Sequence, residues 1–257
     1  MDDLKRYEEL VKTVEYHNDR YYNQDDPEIS DYEYDMMMKE LKKIEKDHPE
    51  FVTPNSPTQH VGGSAKREAG VLVRHRVPML SLQDVFSKEE VQDFVKSMQE
   101  TLVDPVFVVE YKIDGLSMAL RYENGLLTTA ITRGDGIIQG EDVTVNAKVI
   151  KDVKNKLKEP IEYLEVRGEV YMTNEAFDKV NEIQELNNKK TFANPRNCAA
   201  GTLRQLDSRI TKQRNLSMFI FNIQDIRGKE ITSHSQGYEY LKIQGMKVID
   251  NYQVCHN

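Results

Sequence analysis

The pair Asn124-Gly125 stands between two apolar, strand-like runs, Leu116 to Tyr122 and Leu126 to Thr132, and it constrains the fold more than any other feature. Asn-Gly favours the tight turn whose twist matches that of two antiparallel strands, so the spacing predicts a β-hairpin. Just upstream lies Val106 to Gly115, an apolar run holding Glu110 and Lys112 two residues apart, with Asp114-Gly115 bending the chain after it. A strand over 106–112 would put Glu110 and Lys112 on one face, because strand side chains alternate. A lysine amine becomes a nucleophile at neutral pH when an apolar cleft desolvates it, which makes Lys112 the candidate nucleophile. The same ten residues also fit a surface lysine at the end of a buried strand.

Further segments carry the reading beyond this strand. Leu164 to Met172 alternates, with Glu165, Arg167 and Glu169 on one side and Leu164, Val166 and Val170 on the other, as expected of a strand facing a wet cleft. Arg133-Gly134-Asp135-Gly136 at the exit of the hairpin permits a turn that brings a guanidinium to a phosphate. The run Phe192 to Asp207 is rich in small residues and offers Arg196 and Arg204 as two fixed cations. Strands joined by tight turns, with helices over about 87–102, 174–187 and 235–244, give an α+β class.

The N-terminal part differs. A helix is expected over about 4–22, from Tyr7, Leu10, Val14 and Tyr21, then a turn at Asp25-Asp26-Pro27. Ser30-Asp31-Tyr32-Glu33 is a capping-box pattern opening a second helix that His48-Pro49 stops. This is a helical hairpin in which Asp31, Tyr34 and Asp35 share one face near Tyr21 and Tyr22. Two rings and two carboxylates there suit a flat cationic ring and a ribose, although acids in a first turn and tyrosines in a hairpin core have purely structural uses. Proline and glycine over 49–79 mark the boundary, giving domains 1–60 and 61–257.

Charge divides along the same line. The net charge of −8 is carried by residues 1–50, which hold 16 acids against 8 bases, while the remainder balances 27 against 27. Overall charge therefore argues against this chain gripping DNA alone, though Lys66 to Arg76 and Arg204 to Arg214 offer locally basic stretches. Cys198 and Cys255 are far apart and form no Cys-x-x-Cys pair, so neither a disulfide framework nor a zinc site is expected. No run approaches the apolar length of a bilayer span, and a cytoplasmic protein with no membrane partner is expected.

Taken together, Lys112-Ile113-Asp114-Gly115 preceded by Glu110, with Ser81-Leu82, Arg133 to Gly136, Glu165 to Glu169 and the Phe192 to Asp207 run, resemble the NAD-dependent DNA ligases of bacteria. The resemblance covers essentially the whole chain, and the block Tyr21-Tyr22 through Asp35 looks like that family's nicotinamide-mononucleotide-binding hairpin. It implies a hairpin followed by an antiparallel-sheet nucleotidyltransferase (adenylation, ATP-grasp-like ligase) domain. It further implies that Lys112 takes AMP from NAD, that Asp114 sets its protonation or metal environment, and that Mg²⁺ screens phosphate charge. Glu110, Ser81, Leu82 and Ile113 would recognise adenine; Arg133 and Glu169 would hold the ribose; Arg196 and Arg204 would contact phosphate. Nicked double-stranded DNA is the implied second substrate.

Two departures accompany the likeness. The loop after Arg133 is one residue longer than the family's usual spacing, and Cys198 stands where a small residue, usually alanine, is expected. Beyond Asn257 the family continues with an Asp-Gly-x-x-x-Lys strand, a further lysine motif, an oligonucleotide-binding fold and a Zn²⁺ module, so the nucleotidyltransferase domain is expected to be incomplete at its C-terminus. Either a truncated enzyme or one subunit of a split ligase is then expected, self-adenylating at most when alone. A catalytically impaired NAD-binding module and a nucleotidyltransferase acting on RNA are the alternatives.

Overall fold

The computed structural model describes residues 2–23, 27–53, 56–59 and 71–256, with the side chains of residues 2, 22, 23 and 31 excepted. Helix α1 (Asp2–Asn18) runs into a π-helical turn over Asp19–Asn23, and α2 (Asp31–Asp47) returns against it. Ser30 caps α2 by accepting from the Glu33 backbone while the Glu33 carboxylate accepts from the Ser30 backbone, as its sequence requires. Tyr7, Leu10 and Leu41 form the small core of this hairpin. The first helix is thus shorter than expected, because at Asp19 the chain changes to wider π-helical pairing, a local departure often found at functional sites.

Next come β1 (Leu72–Arg74), α3 (Lys88–Thr101), β2 (Phe107–Glu110), β3 (Leu116–Glu123), β4 (Leu126–Thr132), β5 (Gln139–Glu141) and α4 (Thr144–Ala147). After them stand β6 (Tyr163–Tyr171), α5 (Asn174–Leu186), α6 (Pro195–Leu203), α7 (Ser208–Gln213), β7 (Ser217–Arg227), α8 (His234–Ile243) and β8 (Tyr252–Cys255). The protein is α+β with an antiparallel four-stranded sheet ordered β4-β3-β6-β7, and two-stranded ladders β1-β5 and β2-β8. Asn124 and Gly125 both adopt positive φ, 50° and 77°, which is the turn expected between β3 and β4.

One face of the sheet carries the core, including Leu120, Tyr122, Leu164, Val166, Val170 and Met218, and α6 buries Cys198, Ala199 and Leu203 against it. Cys198 is fully buried and burial pushes its thiol up to about 11, as for a small apolar side chain rather than a reactive one. The other face carries the polar residues of β3 and β6.

The strand expected over 106–112 is shorter. Ladder pairing with β8 stops at Glu110, opposite Tyr252, and residues 111–114 are irregular. Lys112 therefore sits on a loop between β2 and β3 and not on a strand face beside Glu110. Its side chain is exposed, so the described residues do not enclose it in the apolar cleft expected around it. The 49–79 segment also contains more structure than expected, since β1 pairs with β5; the part of the basic stretch over 66–70 lies outside the described residues.

Candidate active site

The polar face of β6 organises the site. Antiparallel register sets Ser117 of β3 opposite Glu169 and Arg121 opposite Glu165. At the closed end Arg121 donates to Glu165 at 2.9 Å with both side chains buried, Tyr163 donates to the same carboxylate at 2.5 Å, and Arg121 also holds the Arg74 carbonyl at 2.9 Å. Tyr163 is pushed up to about 12, by burial first and by Glu165 second. Glu165 is consequently a structural residue, not one of three charges facing a wet cleft.

At the open end Ser117 donates to Glu169 at 2.8 Å, and the Arg167 guanidinium donates to Ser117 Oγ at 3.2 Å and to the Leu80 carbonyl at 2.8 Å. Burial raises Glu169 above the usual carboxylate range, opposed by the Ser117 hydrogen bond and by the charges of Arg196, Lys112 and Arg167. Lys112 and Arg196 thus share the field of one half-buried carboxylate, although they are 84 positions apart in the chain.

Arg133 donates to the Met79 carbonyl at 3.1 Å and to Ser81 Oγ at 2.5 Å. The loop after Arg133 is folded around Asp135, whose carboxylate accepts from the backbones of Ile137, Ile138 and Gln139 at 2.7–3.0 Å. Those three bonds outweigh burial and hold Asp135 below its ordinary range. Gly136 lies at φ 76° and its carbonyl accepts from Met79 N at 2.6 Å, so the loop and two arginines fix the Met79–Ser81 segment at the rim. Leu82 is exposed there, and Ile113 is half-buried beyond Lys112.

Arg196 stands in the first turn of α6, which Asn194 caps by accepting from Asn197 N at 2.8 Å. It faces Asp114 at 3.7 Å and lies over the Tyr21 ring at 4.8 Å, joining the helical hairpin to the Lys112 loop. Tyr34 donates to Asn18 at 2.7 Å and Asp35 is half-buried on the same helix; the side chains of Tyr22 and Asp31 lie outside the described residues. Arg204 is placed elsewhere, paired with Glu141 at 3.4 Å. Of the other cations in its basic stretch, Arg209 pairs with Asp207, Arg214 with Thr202 and the Phe192 ring, and Lys212 is exposed.

Glu110 points toward α8: Tyr238 donates to it at 2.6 Å and His234 Nε2 lies 3.3 Å away. Burial works against its charge, but these two partners prevail and hold the carboxyl below the usual range. A cavity of about 490 Å³ lies between β7 and α8, lined by Asn222, Gln224, Thr232, His234 and Tyr238 among others. It touches none of Lys112, Arg133, Glu169 or Arg196, so it lies apart from the cationic cluster.

Sequence reasoning passes over Arg167 and Ser117 as members of this cluster. Read from the sequence, Arg167 is only one charge on a strand, yet it binds the rim segment and lies over the Phe221 ring at 5.5 Å. Alternation along β6 already sets Arg167 on the face of Glu169; its hold on the Leu80 carbonyl depends on a contact between residues 87 positions apart. Among the described residues no group of three His, Cys, Asp or Glu is placed to hold a metal, and no helix is long and apolar enough to cross a membrane.

Residues 70–257 match the family described as the NAD-dependent DNA ligase adenylation domain, and residues 1–62 match the DNA ligase-like N-terminal NAD+-binding domain. The DNA ligase of Clostridium kluyveri is 54% identical over 255 residues, covering 99% of this chain and 38% of that protein. That of Caldicellulosiruptor saccharolyticus is 53% identical over 255 residues, 98% of this chain and 37% of that protein. For the DNA ligase of Clostridioides difficile the figures are 48% over 247 residues, 96% and 36%. The chain thus spans under two-fifths of the length of the curated relatives it matches.

Proposed function

We propose, for a chain that belongs to the NAD-dependent DNA ligase family, that Lys112 is the nucleophile which takes AMP from NAD as the first step of nick sealing. The carrying observation is the geometry around the Lys112 loop: Arg196 faces Asp114 two residues after Lys112, Arg167 and Ser117 meet at Glu169, and Arg133 holds the rim. Cations converging on a partly buried carboxylate suit a substrate with a ribose and a dense phosphate charge.

In the proposed step Lys112 Nζ attacks the adenylyl phosphorus. A P–N bond forms as the P–O bond to the nicotinamide-mononucleotide phosphate breaks; the mononucleotide leaves with the electron pair and the amine releases a proton to solvent. Glu169 and Arg133 hold the ribose side, and Glu110 with the backbone at Ser81, Leu82 and Ile113 recognises adenine. Arg196 contacts phosphate. Arg204, tied to Glu141, would reach phosphate only by releasing that pair. Tyr21, Tyr22, Asp31, Tyr34 and Asp35 take the mononucleotide half, residues 1–60 and 61–257 acting as the two domains. When bound, Mg²⁺ would screen phosphate charge; with no three-acid cage among the described residues, it would be held by one or two carboxylates, Asp114 first, together with the phosphates.

Passing AMP to the 5′-phosphate of nicked DNA, and sealing, belong to the proposed activity of the longer proteins, with or without a second subunit to supply their remaining domains. The test is incubation with NAD or ATP carrying label in the adenylate, with Mg²⁺, read as denaturation-resistant label. Label is expected from NAD only and none from Lys112→Ala; a Lys112→Ala chain that still takes up label would end the assignment.

A further inference from the structure

Glu110 closes β2 two residues before Lys112, and the groups that hold it come from far along the chain. Tyr238 of α8 is only 1% exposed, its ring packed 4.5 Å from His234 and 5.4 Å from Tyr252, the residue opposite Glu110 in the β2-β8 ladder. Three elements thus fix the position of its hydroxyl. Both groups that hydroxyl meets, Glu110 Oε2 at 2.6 Å and the Phe221 carbonyl at 3.3 Å, are acceptors, so it must donate. His234 Nε2 approaches the same oxygen at 3.3 Å. Among the described residues nothing donates to Glu110 Oε1, on a side chain left 25% exposed.

We infer that Tyr238 is a positioning residue that orients Glu110 as an acceptor-only group and so makes the nucleotide site select a 6-amino purine over a 6-oxo purine. The inference rests on the proposed use of NAD. A carboxylate already receiving a donor on Oε2 offers Oε1 to an N–H. Adenine presents one at its exocyclic amine, whereas hypoxanthine presents a carbonyl oxygen, which a carboxylate repels. Sites built around a hydrogen bond reject analogues lacking it far more strongly than apolar pockets reject a missing methylene. The depressed titration of Glu110 accords with this, since its acceptor form then persists well below neutral pH.

The experiment compares NAD with nicotinamide hypoxanthine dinucleotide on the 257-residue chain, reading covalent nucleotide by intact mass and equilibrium binding by calorimetry. Wild type is expected to prefer NAD. Tyr238→Phe keeps the packed ring and loses only the hydroxyl; one charge-assisted bond corresponds to about 10- to 100-fold. The loss is expected in KM and Kd for NAD, with kcat and the values for the analogue little changed, so that the preference collapses. Glu110→Gln, whose amide also donates, is expected to improve use of the analogue. A Tyr238→Phe chain that keeps the wild-type preference overturns the inference while leaving Lys112 adenylation standing. A wild type that neither binds nor is modified by either dinucleotide overturns both.

Discussion

Two carboxylates of the site are displaced in opposite directions, and the causes predict different behaviour. Glu169 is raised by burial against three nearby cations, whereas Glu110 is lowered by two hydrogen-bonding partners that overcome its burial. Because Glu169 titrates above its ordinary value of 4.5, the folded protein disfavours its charged form, and its ionisation costs stability as pH rises through that range. Glu110 has the reverse sign: it stabilises above 4.5 and that contribution is lost as pH falls through its depressed value. NAD affinity, which does not require a deprotonated lysine, should therefore weaken as pH falls through the raised range in which Glu169 takes up its proton, before the depressed Glu110 does. Glu169→Gln should bind NAD about tenfold more weakly, lose most of that pH dependence, and be no less stable to urea at neutral pH. Calorimetric titrations across the range decide it; a pH-independent wild type would remove Glu169 from the ribose site.

Strand β6 and the glycines around it show how element geometry sets the chemistry. A Cβ on Gly115 would fall on the Val170 carbonyl oxygen, so the turn leading from the Lys112 loop into β3 needs the bare backbone. Gly115→Ala should displace that loop and lower the rate of self-adenylation by about 10²-fold, since small misplacements of a reacting group are costly. Gly125→Ala, at φ 77° in the remote hairpin, should cost about 1 kcal/mol of stability and leave the rate unchanged. Single-turnover labelling with urea melts on both variants separates the two effects. Legibility in the sequence divides in the same way. The Ser30 cap, the Asn124-Gly125 turn and the alternation of β6 are local and can be read from neighbouring residues. The closed pair of Arg121 with Glu165 cannot, because it depends on the register of strands over forty residues apart, and neither can the early end of β2, which its pairing with β8 sets. Tyr238 and His234 on Glu110 lie beyond reach for the same reason: over 120 positions separate the partners.

For the molecule as a whole, the open question is how the acidic hairpin acts on a site built by residues after 70. The contacts that join them include Lys39 of α2 with Glu90 and the Phe86 ring of the α3 entry, at 3.1 and 4.7 Å, and Arg196 over Tyr21. Side chains at the first are about half exposed, so it contributes little beyond a fraction of a kcal/mol. Arg196 is 30% exposed and also faces Asp114, so the Tyr21 ring and the Lys112 loop share one guanidinium. If Arg196 holds phosphate between the two nucleotide halves, as proposed, removing the ring should be felt through the arginine. Tyr21→Ala and Arg196→Ala should each raise the KM for NAD in self-adenylation. The double variant should fall short of their sum by about 0.5–2 kcal/mol, the scale of a partly desolvated cation–π pair. Lys39→Ala should leave that KM within about twofold, because its contact is peripheral and screened. Strict additivity of Tyr21 and Arg196 would mean that the hairpin and the lysine loop bind their halves of the dinucleotide independently, and that the stacking only docks one domain on the other.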